Sequence, residues 1–140
     1  MAATAGVTAF GTLLRWDNAD VLELTSISGP TETMDPLDVT SHDSDNQFRE
    51  FVAGLHDGGE ITFEGNCIVG DSTGQVAMHT DFQATDVKAW EIRFPTYNGG
   101  TPKIGGNGFI TAFTWNFPFD GPVTISGTIK ITGKPSYTPV

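Results

Sequence analysis

Cysteine and basic residues are scarce in this sequence, and long apolar runs are missing from it. Cys67 is its only cysteine, so no disulfide can form within the chain and the fold does not depend on an oxidising compartment. The first residues show no basic segment followed by an apolar one, so we expect no signal peptide. No apolar run approaches the roughly 18 residues that cross a membrane as a helix. We therefore expect no membrane insertion.

The few basic residues leave the chain strongly acidic. Seven lysines and arginines stand against 17 aspartates and glutamates, which gives a formal net charge of −10 at pH 7. Such a surface repels nucleic-acid phosphates and anionic lipids, which argues against sequence-specific binding of DNA. Residues 1–70 hold 12 of the acids and only 2 of the bases, whereas residues 71–140 are balanced. This asymmetry predicts one acidic face.

Phenylalanine, glycine and proline are frequent, with 10, 17 and 8 occurrences in 140 residues. Aromatic and β-branched residues favour strands, and glycine and proline separate them, so the composition predicts a mainly β fold. A chain of this length can bury a core without disulfides or metals. We expect residues 1–140 to form a single domain.

Alternation of apolar and polar residues predicts about seven strands. The clearest spans residues 60–69, where Ile61 and Phe63 alternate with Glu60 and Glu64. The alternation, together with one helix, predicts a β-sandwich or a partly rolled barrel with one flanking α-helix. The other strands are expected at residues 8–16, 21–28, 31–40, 87–94, 109–117 and 123–132.

The remaining segments are expected to be irregular or briefly helical. Pro36 cannot donate a ladder hydrogen bond, so the strand at 31–40 should be an edge or an extended excursion. Phe48, Phe51, Val52 and Leu55 recur at helical spacing, which predicts one or two helical turns around residues 46–54. Outside the strands we expect an N-terminal arm (1–7), an extended loop region (31–59), a glycine-rich loop (96–108) and a C-terminal tail (133–140).

Residues 70–74 match the Gly-x-Ser-x-Gly pattern of a nucleophile elbow, between a predicted strand and a predicted helix. That site would need an acid and then a histidine after Ser72, but no acid lies between Ser72 and His79, the only later histidine. A simpler interpretation is that Ser72 and Gln75 form a capping box at the start of a helix that ends near Ala84. We therefore assign no catalytic residue and predict no enzyme. Paired carboxylates of the glycosidase kind depend on distances that the sequence leaves open.

Possible metal ligands are concentrated in the acidic segment 42–46. Counted from Asp43, the sixth and twelfth positions of a calcium-binding EF-hand loop would be Phe48 and Gly54, which do not fit that loop. The three histidines lack the spacing of a zinc site. Cys67 is expected to be a buried, inert thiol. We predict no metal and no cofactor.

Several motifs in a fixed order carry a resemblance to a known family. Residues 24–30 read Leu-Thr-Ser-Ile-Ser-Gly-Pro, and residues 38–41 read Asp-Val-Thr-Ser. Residues 48–66 read Phe-Arg-Glu-Phe-Val-Ala-Gly-Leu-His-Asp-Gly-Gly-Glu-Ile-Thr-Phe-Glu-Gly-Asn, and residues 129–135 read Ile-Lys-Ile-Thr-Gly-Lys-Pro. In this order they resemble the tail tube (major tail) proteins of bacteriophages with long, non-contractile tails. The resemblance is strongest over residues 24–66.

The resemblance implies a structural subunit that forms hexameric rings, which stack into a hollow tube for delivery of the genome. Its implied partners are other copies of itself and other tail proteins at the ends of the tube, while viral DNA passes through without specific binding. The implied location is the tail of the virion, after assembly in the host cytoplasm. Exposed strand edges suit this role, because an edge can pair with another chain.

Two groups of residues are candidates for assembly. The first comprises apolar residues of the extended loop region, which we expect at subunit interfaces. An alternative is that Phe48, Phe51 and Leu55 pack on their own domain. The second comprises acids that would face the lumen and let DNA slide, although they could equally belong to an ordinary solvated face. The interface candidates are Met34, Pro36, Leu37, Phe48, Phe51 and Leu55, and the lumen candidates are Glu32, Glu60 and Glu64.

A ligand-binding β-sandwich, such as a carbohydrate-binding module, is the alternative function. Trp16, Trp90 and Trp115 could form a platform on which sugar rings stack. However, Trp90 and Trp115 alternate with polar residues, as core positions do.

Overall fold

The computed structural model describes residues 6–97 and 99–139. Within them the chain forms nine strands, one α-helix and one short 3₁₀ turn. The helix α1 is Gln75–Ala84, and the 3₁₀ turn is Asp45–Gln47. The strands are β1 (Leu13–Trp16), β2 (Ala19–Asp20), β3 (Leu24–Ser28), β4 (Thr33–Asp38), β5 (Phe51–Asp57), β6 (Glu60–Asn66), β7 (Lys88–Arg93), β8 (Lys103–Asn116) and β9 (Thr124–Thr138).

Seven of these strands form one antiparallel sheet in the order β2-β1-β7-β8-β9-β6-β3. The sheet is curled into a half-barrel, and α1 packs against β8 on its apolar side. Strands β4 and β5 form a separate two-stranded sheet. The predicted mainly β fold with one flanking helix is confirmed. In the described residues, no helix has both the length and the apolar character needed to cross a membrane.

The core lies between the curled sheet and α1, and the predicted alternation explains it. On β6, Ile61 and Phe63 are buried while Glu60 and Glu64 are exposed. Gly127 of β9 makes room for the Phe63 ring, since a Cβ there would lie 2.5 Å from Phe63 Cζ. The buried apolar side chains are Leu14, Trp16, Val21, Ile61, Phe63, Met78, Trp90, Ile92, Ile110, Ile125, Ile129 and Ile131.

The start of α1 is held by two buried polar side chains. Asp71 Oδ2 accepts hydrogen bonds from the backbone N–H of Gln75 (3.0 Å) and of Leu22 (3.1 Å). The side-chain amide of Gln75 donates to the carbonyl oxygens of Leu22 (2.9 Å) and Asn66 (2.8 Å). The expected capping box between Ser72 and Gln75 is therefore wrong. Asp71 satisfies the first turn of the helix, and Gln75 ties the helix to two neighbouring segments.

The helical turns expected around residues 46–54 are also wrong. Residues 51–57 form β5, and only Asp45–Gln47 make a 3₁₀ turn. The apolar spacing that suggested a helix is overridden because β4 offers a partner strand, in which Leu37 pairs with Val52. Pro36 is accommodated beside an irregularity in this pairing.

The expected glycine-rich loop at 96–108 ends earlier than predicted, because β8 begins at Lys103. Gly106 and Gly108 lie in this strand against the Trp90 ring. A Cβ at Gly108 would lie 2.6 Å from the carbonyl oxygen of Lys130. These glycines allow close packing, so they mark a strand and not a flexible loop.

Strand β8 carries a bulge between Ile110 and Ala112, where its register with β9 shifts. The extra residue, Thr111, changes which side chains face the core. Phe109 was expected on the same side of the strand as Phe113. The bulge places Phe109 on the side opposite Phe113, and Ile110 takes the buried position that faces the core.

Three further boundaries differ from the expectation. The first strand begins at Leu13 and not at residue 8, and the strand expected at 21–28 is β3, which begins at Leu24. The segment 133–140 was expected to be a tail, but β9 continues to Thr138 and pairs there with Lys103. Of the expected N-terminal arm, residues 1–5 lie outside the described residues.

Candidate assembly surfaces

The segment 31–59, here called the arm, consists of β4, the 3₁₀ turn and β5. Its two strands pair with each other from Thr33↔Asp57 to Asp38↔Phe51. All six predicted interface residues are exposed in the single chain, including Leu55 at 85% and Phe48 at 73%. The apolar side chains of the arm are therefore open to contact with another molecule. Five of them lie on β4 and β5, and Phe48 lies in the loop before β5: Met34, Pro36, Leu37, Phe48, Phe51 and Leu55.

The base of the arm is fixed to β9 by Asp57. Asp57 Oδ1 accepts a hydrogen bond from the Gly59 backbone N–H at 2.8 Å and from Lys130 Nζ at 2.9 Å. The Gly59 hydrogen bond is the larger cause, and Lys130 the second, of a lowered pKa for the Asp57 carboxyl. Gly59 has a φ of +78°, and a Cβ there would lie 2.0 Å from the Thr31 carbonyl oxygen. The turn between β5 and β6 thus requires glycine.

The tip of the arm is braced by its own polar side chains. Ser44 Oγ donates to Glu50 Oε2 at 2.6 Å, and the Arg49 guanidinium lies 3.6 Å from Asp38. Hydrogen bonds from Thr40 lower the pKa of the Asp38 carboxyl. Within residues 6–97 and 99–139, no group of three or more His, Cys, Asp or Glu side chains is placed to hold a metal ion.

A polar face covers the side of four adjacent strands that lies opposite the core. Glu60 and Glu64 lie on this face, and neither forms an ion pair within the described part of the chain. The structure does not place Glu32 with them, because Glu32 precedes β4 and lines a cleft beside Leu55 and Lys134. The polar face carries Ser26 and Ser28 of β3, Glu60, Thr62 and Glu64 of β6, Ser126, Thr128 and Lys130 of β9, and Thr114 of β8.

The same four strands, β8, β9, β6 and β3, end in two open edges. In the described residues β3 pairs with β6 alone. Strand β7 begins at Lys88, opposite Gly108, so β8 from Phe109 onwards pairs only with β9. An open edge presents unpaired backbone N–H and C=O groups that a strand of another molecule can bind.

A family model decides the class of this protein. The model described as lambda phage tail tube protein, TTP, matches residues 8–138. The chain belongs to the lambda phage tail tube protein family. It is therefore a structural protein, a subunit of a phage tail tube. The family resemblance expected from the motifs is confirmed.

Solved structures of tail tubes share the fold of this tail tube protein. The tail of an empty gene transfer agent particle, refined with helical and C6 symmetry, matches with a TM-score of 0.78 and 18% identity, over 96% of this chain and 100% of that one. The sheath/tube terminator of an extracellular contractile injection system, PVC, matches at 0.76 and 14% identity, over 99% and 100%. The SPP1 tail tube matches at 0.65 and 14% identity, over 87% and 73%. No curated protein matches the chain in sequence.

The tryptophan platform of the alternative function is not formed. Trp16 and Trp90 are buried in the core, where Trp16 Nε1 donates to Asp81 Oδ2 at 2.8 Å and Trp90 Nε1 to the Asn107 carbonyl oxygen at 3.2 Å. Trp115 is partly exposed, but its ring packs edge-on against His79 at a centroid distance of 4.8 Å. Only one of the three indoles is therefore accessible to a ligand.

The residues of the serine motif also serve packing in this tail tube protein. Asp71 is buried and bonded as described above, while Ser72 is exposed. His79 packs against Phe113 and Trp115 and forms no hydrogen bond with Ser72 among the described residues. Cys67, expected to be buried, is only half-buried beside Trp115.

The sequence did not predict the open edge of β8, nor that the arm forms a hairpin. The open edge of β8 depends on where its partner β7 begins, and no local pattern in the sequence of β8 records that. For the arm, the Gly58-Gly59 pair was a usable signal only for where β5 ends, since glycine clusters bound strands.

Proposed function

We propose that this tail tube protein assembles into hexameric rings that stack into a hollow tube, through which the viral genome passes. The observation that carries the proposal is the arm, which exposes apolar side chains on a hairpin held at its base by Asp57 and Gly59. An isolated two-stranded hairpin is marginally stable in water. Contact with another copy would cover these side chains and order the arm.

The open edges give the ring its second contact. Strand β3 of one copy would pair with the exposed half of β8 in the next, so that the four-strand segments join around the ring. Such a contact uses different surfaces on its two sides and closes only when the rotation between copies completes a circle. The C6 symmetry of the gene transfer agent tail, whose subunit shares this fold, supports six copies.

Closure in this way would turn the polar face towards the lumen. The face presents hydroxyl groups and the carboxylates of Glu60 and Glu64, with Lys130 close to Asp57 at its margin. Carboxylates repel DNA phosphates, and a wall with few bases would not retain the duplex. We assign Glu60 and Glu64 to the lumen and leave Glu32 out of this group because it belongs to the arm and lines a cleft with Leu55 and Lys134.

The remaining parts of the proposal follow from the tube. Rings at the two ends would contact other tail proteins, as the similarity to a tube terminator suggests, and assembly would take place in the host cytoplasm. The protein would act without catalysis, as a subunit whose obligate contacts bury on the order of 2,000 Å² or more.

Negative-stain electron microscopy of the purified protein over a concentration series tests the assembly. Rings or hollow rods that grow with concentration are the expected result. Uniform particles of monomer size at every concentration, also in the presence of a tail-tip fraction that starts assembly, would contradict the proposal.

A further inference from the structure

Positive charge in this acidic protein is concentrated on three neighbouring strands. Arg15, Lys88, Arg93 and Lys103 lie on β1, β7 and the start of β8. Arg15 is 3.0 Å from Asp20 and Lys88 is 3.7 Å from Asp17, so each has its own carboxylate. Arg93 and Lys103 share one carboxylate instead, that of Glu91, at 2.7 and 3.9 Å. These two residues, here called the basic rim, therefore carry excess positive charge.

An aromatic pocket lies at the same end of the sheet as the basic rim but on the opposite face, because Tyr137 pairs with Ile104, whereas Lys103 pairs with Arg93. Arg93 is followed by Phe94, whose backbone N–H donates to the Pro102 carbonyl oxygen at 2.9 Å, and Pro102 precedes Lys103. The Phe94 and Tyr137 rings pack at a centroid distance of 6.1 Å. The pocket has a volume of about 240 Å³ and is lined by Val7, Phe94, Pro95, Tyr97, Pro102 and Tyr137. The face that carries the basic rim fits a segment with carboxylates that have no basic partner of their own.

The arm has this chemistry. Its residues 31–59 contain seven carboxylates and one arginine. Glu32 and Asp35 make no ion pair within the described part of the chain, and Leu37, two residues after Asp35, is half-exposed. The rest of the molecule is acidic and would repel the arm. Apart from the arm, the strands β1, β2 and β7, the turn with Asp17, and Lys103, the chain holds seven acids and two lysines.

We propose that the arm of one copy docks on the basic rim of a second copy. Glu32 and Asp35 face Arg93 and Lys103 in this contact. The contact rests on the proposed assembly into rings and identifies the surface that receives the arm. Complementary charge selects the partner and the register of such an interface more than it adds affinity.

A charge exchange tests the contact. The first variant, Glu32→Lys with Asp35→Lys, reverses the arm, and the second, Arg93→Glu with Lys103→Glu, reverses the rim. Each should raise the critical concentration for tube assembly by about tenfold or more. The combination of all four substitutions should recover most of that loss. The matched control, Asp86→Lys with Asp120→Lys, makes the same charge change on exposed acids outside the arm and should assemble as the parent does. Circular dichroism establishes that every variant is folded.

A cross-link provides a second measurement that does not depend on how well the reversed rim folds. Copies carrying Asp35→Cys are mixed with copies carrying Lys103→Cys, both in a Cys67→Ser background, and are oxidised after assembly. A disulfide-linked dimer is expected in the tubes, and the pair Asp120→Cys with Lys103→Cys is the control. Tubes in which the first pair links no better than the control, or in which the reversed arm assembles normally, would overturn this contact alone. Failure of the parent protein to assemble at all would overturn the proposed function and the contact together.

Discussion

Asp57, the last residue of β5, accepts a hydrogen bond from Lys130 Nζ at 2.9 Å and thereby joins the arm to β9. The hydrogen bond from the Gly59 backbone N–H, at 2.8 Å, is the largest cause of a lowered pKa of the Asp57 carboxyl, and the hydrogen bond from Lys130 is the next. The unfolded chain therefore binds this proton more readily than the folded chain does. The stabilisation is present above about pH 4 and is lost as the pH falls through the folded-state pKa.

The first prediction concerns this pH dependence. Asp57→Asn should lower the melting temperature at pH 7, and the difference from the parent should shrink as the pH falls below about 4. Lys130→Met should remove only part of the effect, because the Gly59 hydrogen bond remains. Thermal unfolding followed by circular dichroism between pH 2.5 and about 7 measures this difference. A gap between parent and Asp57→Asn that stays constant over the whole range would contradict the account.

The second prediction separates steric clash from backbone strain. Gly59 and Gly99 both have a φ of +78°, but a Cβ at Gly59 would lie 2.0 Å from the Thr31 carbonyl oxygen, whereas one at Gly99 meets nothing within 4 Å. Gly99→Ala should cost about 1 kcal/mol of unfolding free energy, and Gly59→Ala about 3 kcal/mol or more. Urea unfolding of both variants measures the two costs. Equal losses would show that the clash is relieved by a small shift of the turn.

The third prediction concerns Gln75. Its side chain makes three hydrogen bonds, two as donor to the Leu22 and Asn66 carbonyl oxygens and one as acceptor from the Ile68 N–H at 2.8 Å. Gln75→Ala leaves these backbone groups without their partner and should lower the unfolding free energy by about 2–4 kcal/mol. The exposed Gln83 on the same helix offers a matched control, and Gln83→Ala should stay within about 0.5 kcal/mol of the parent. A loss for Gln75→Ala as small as that of the control would show that water replaces the amide.

The fourth prediction tests the lumen. Glu60→Lys with Glu64→Lys should leave tubes intact and slow the ejection of DNA, because bases on the wall bind phosphates. Phage carrying this change, compared with phage carrying Asp86→Lys with Asp120→Lys, would be followed by dye entry into the released DNA. The effect should weaken as salt is raised, since salt screens the attraction. Ejection at the parental rate in low salt would place Glu60 and Glu64 outside the lumen.

The strands could be predicted where the burial of one face gives the sequence a regular alternation of apolar and polar residues. Ile61 and Phe63 alternate with Glu60 and Glu64, and the structure buries the first pair and exposes the second. The arm was not predictable in this way. Phe48, Phe51 and Leu55 match a helical period, but β4 supplies hydrogen-bond partners to β5 from elsewhere in the chain. A short segment follows the partner that tertiary structure offers, and local spacing does not record that partner.

The residues of the candidate site could be identified from the sequence, but their arrangement in space could not. The apolar residues of the arm were identified, and their exposure is visible only in the folded chain. Glu32 was grouped with Glu60 and Glu64 by charge alone, yet the chain places it beside Lys134, in the cleft between the arm and β9. Charge identifies candidates, whereas strand pairing decides which of them share a face.

The bulge in β8 has a consequence for the diameter of the channel in the proposed tube. Ile110 faces the core before the bulge and Phe113 after it, so removal of the intervening Thr111 would leave every side chain of β8 on its present face. What it would remove is the bend that a bulge puts into a strand. In the proposed tube, the amino acids that line the channel and the curvature of its wall would thus be encoded separately. A deletion of Thr111 should therefore give a channel of the same chemistry and a different diameter.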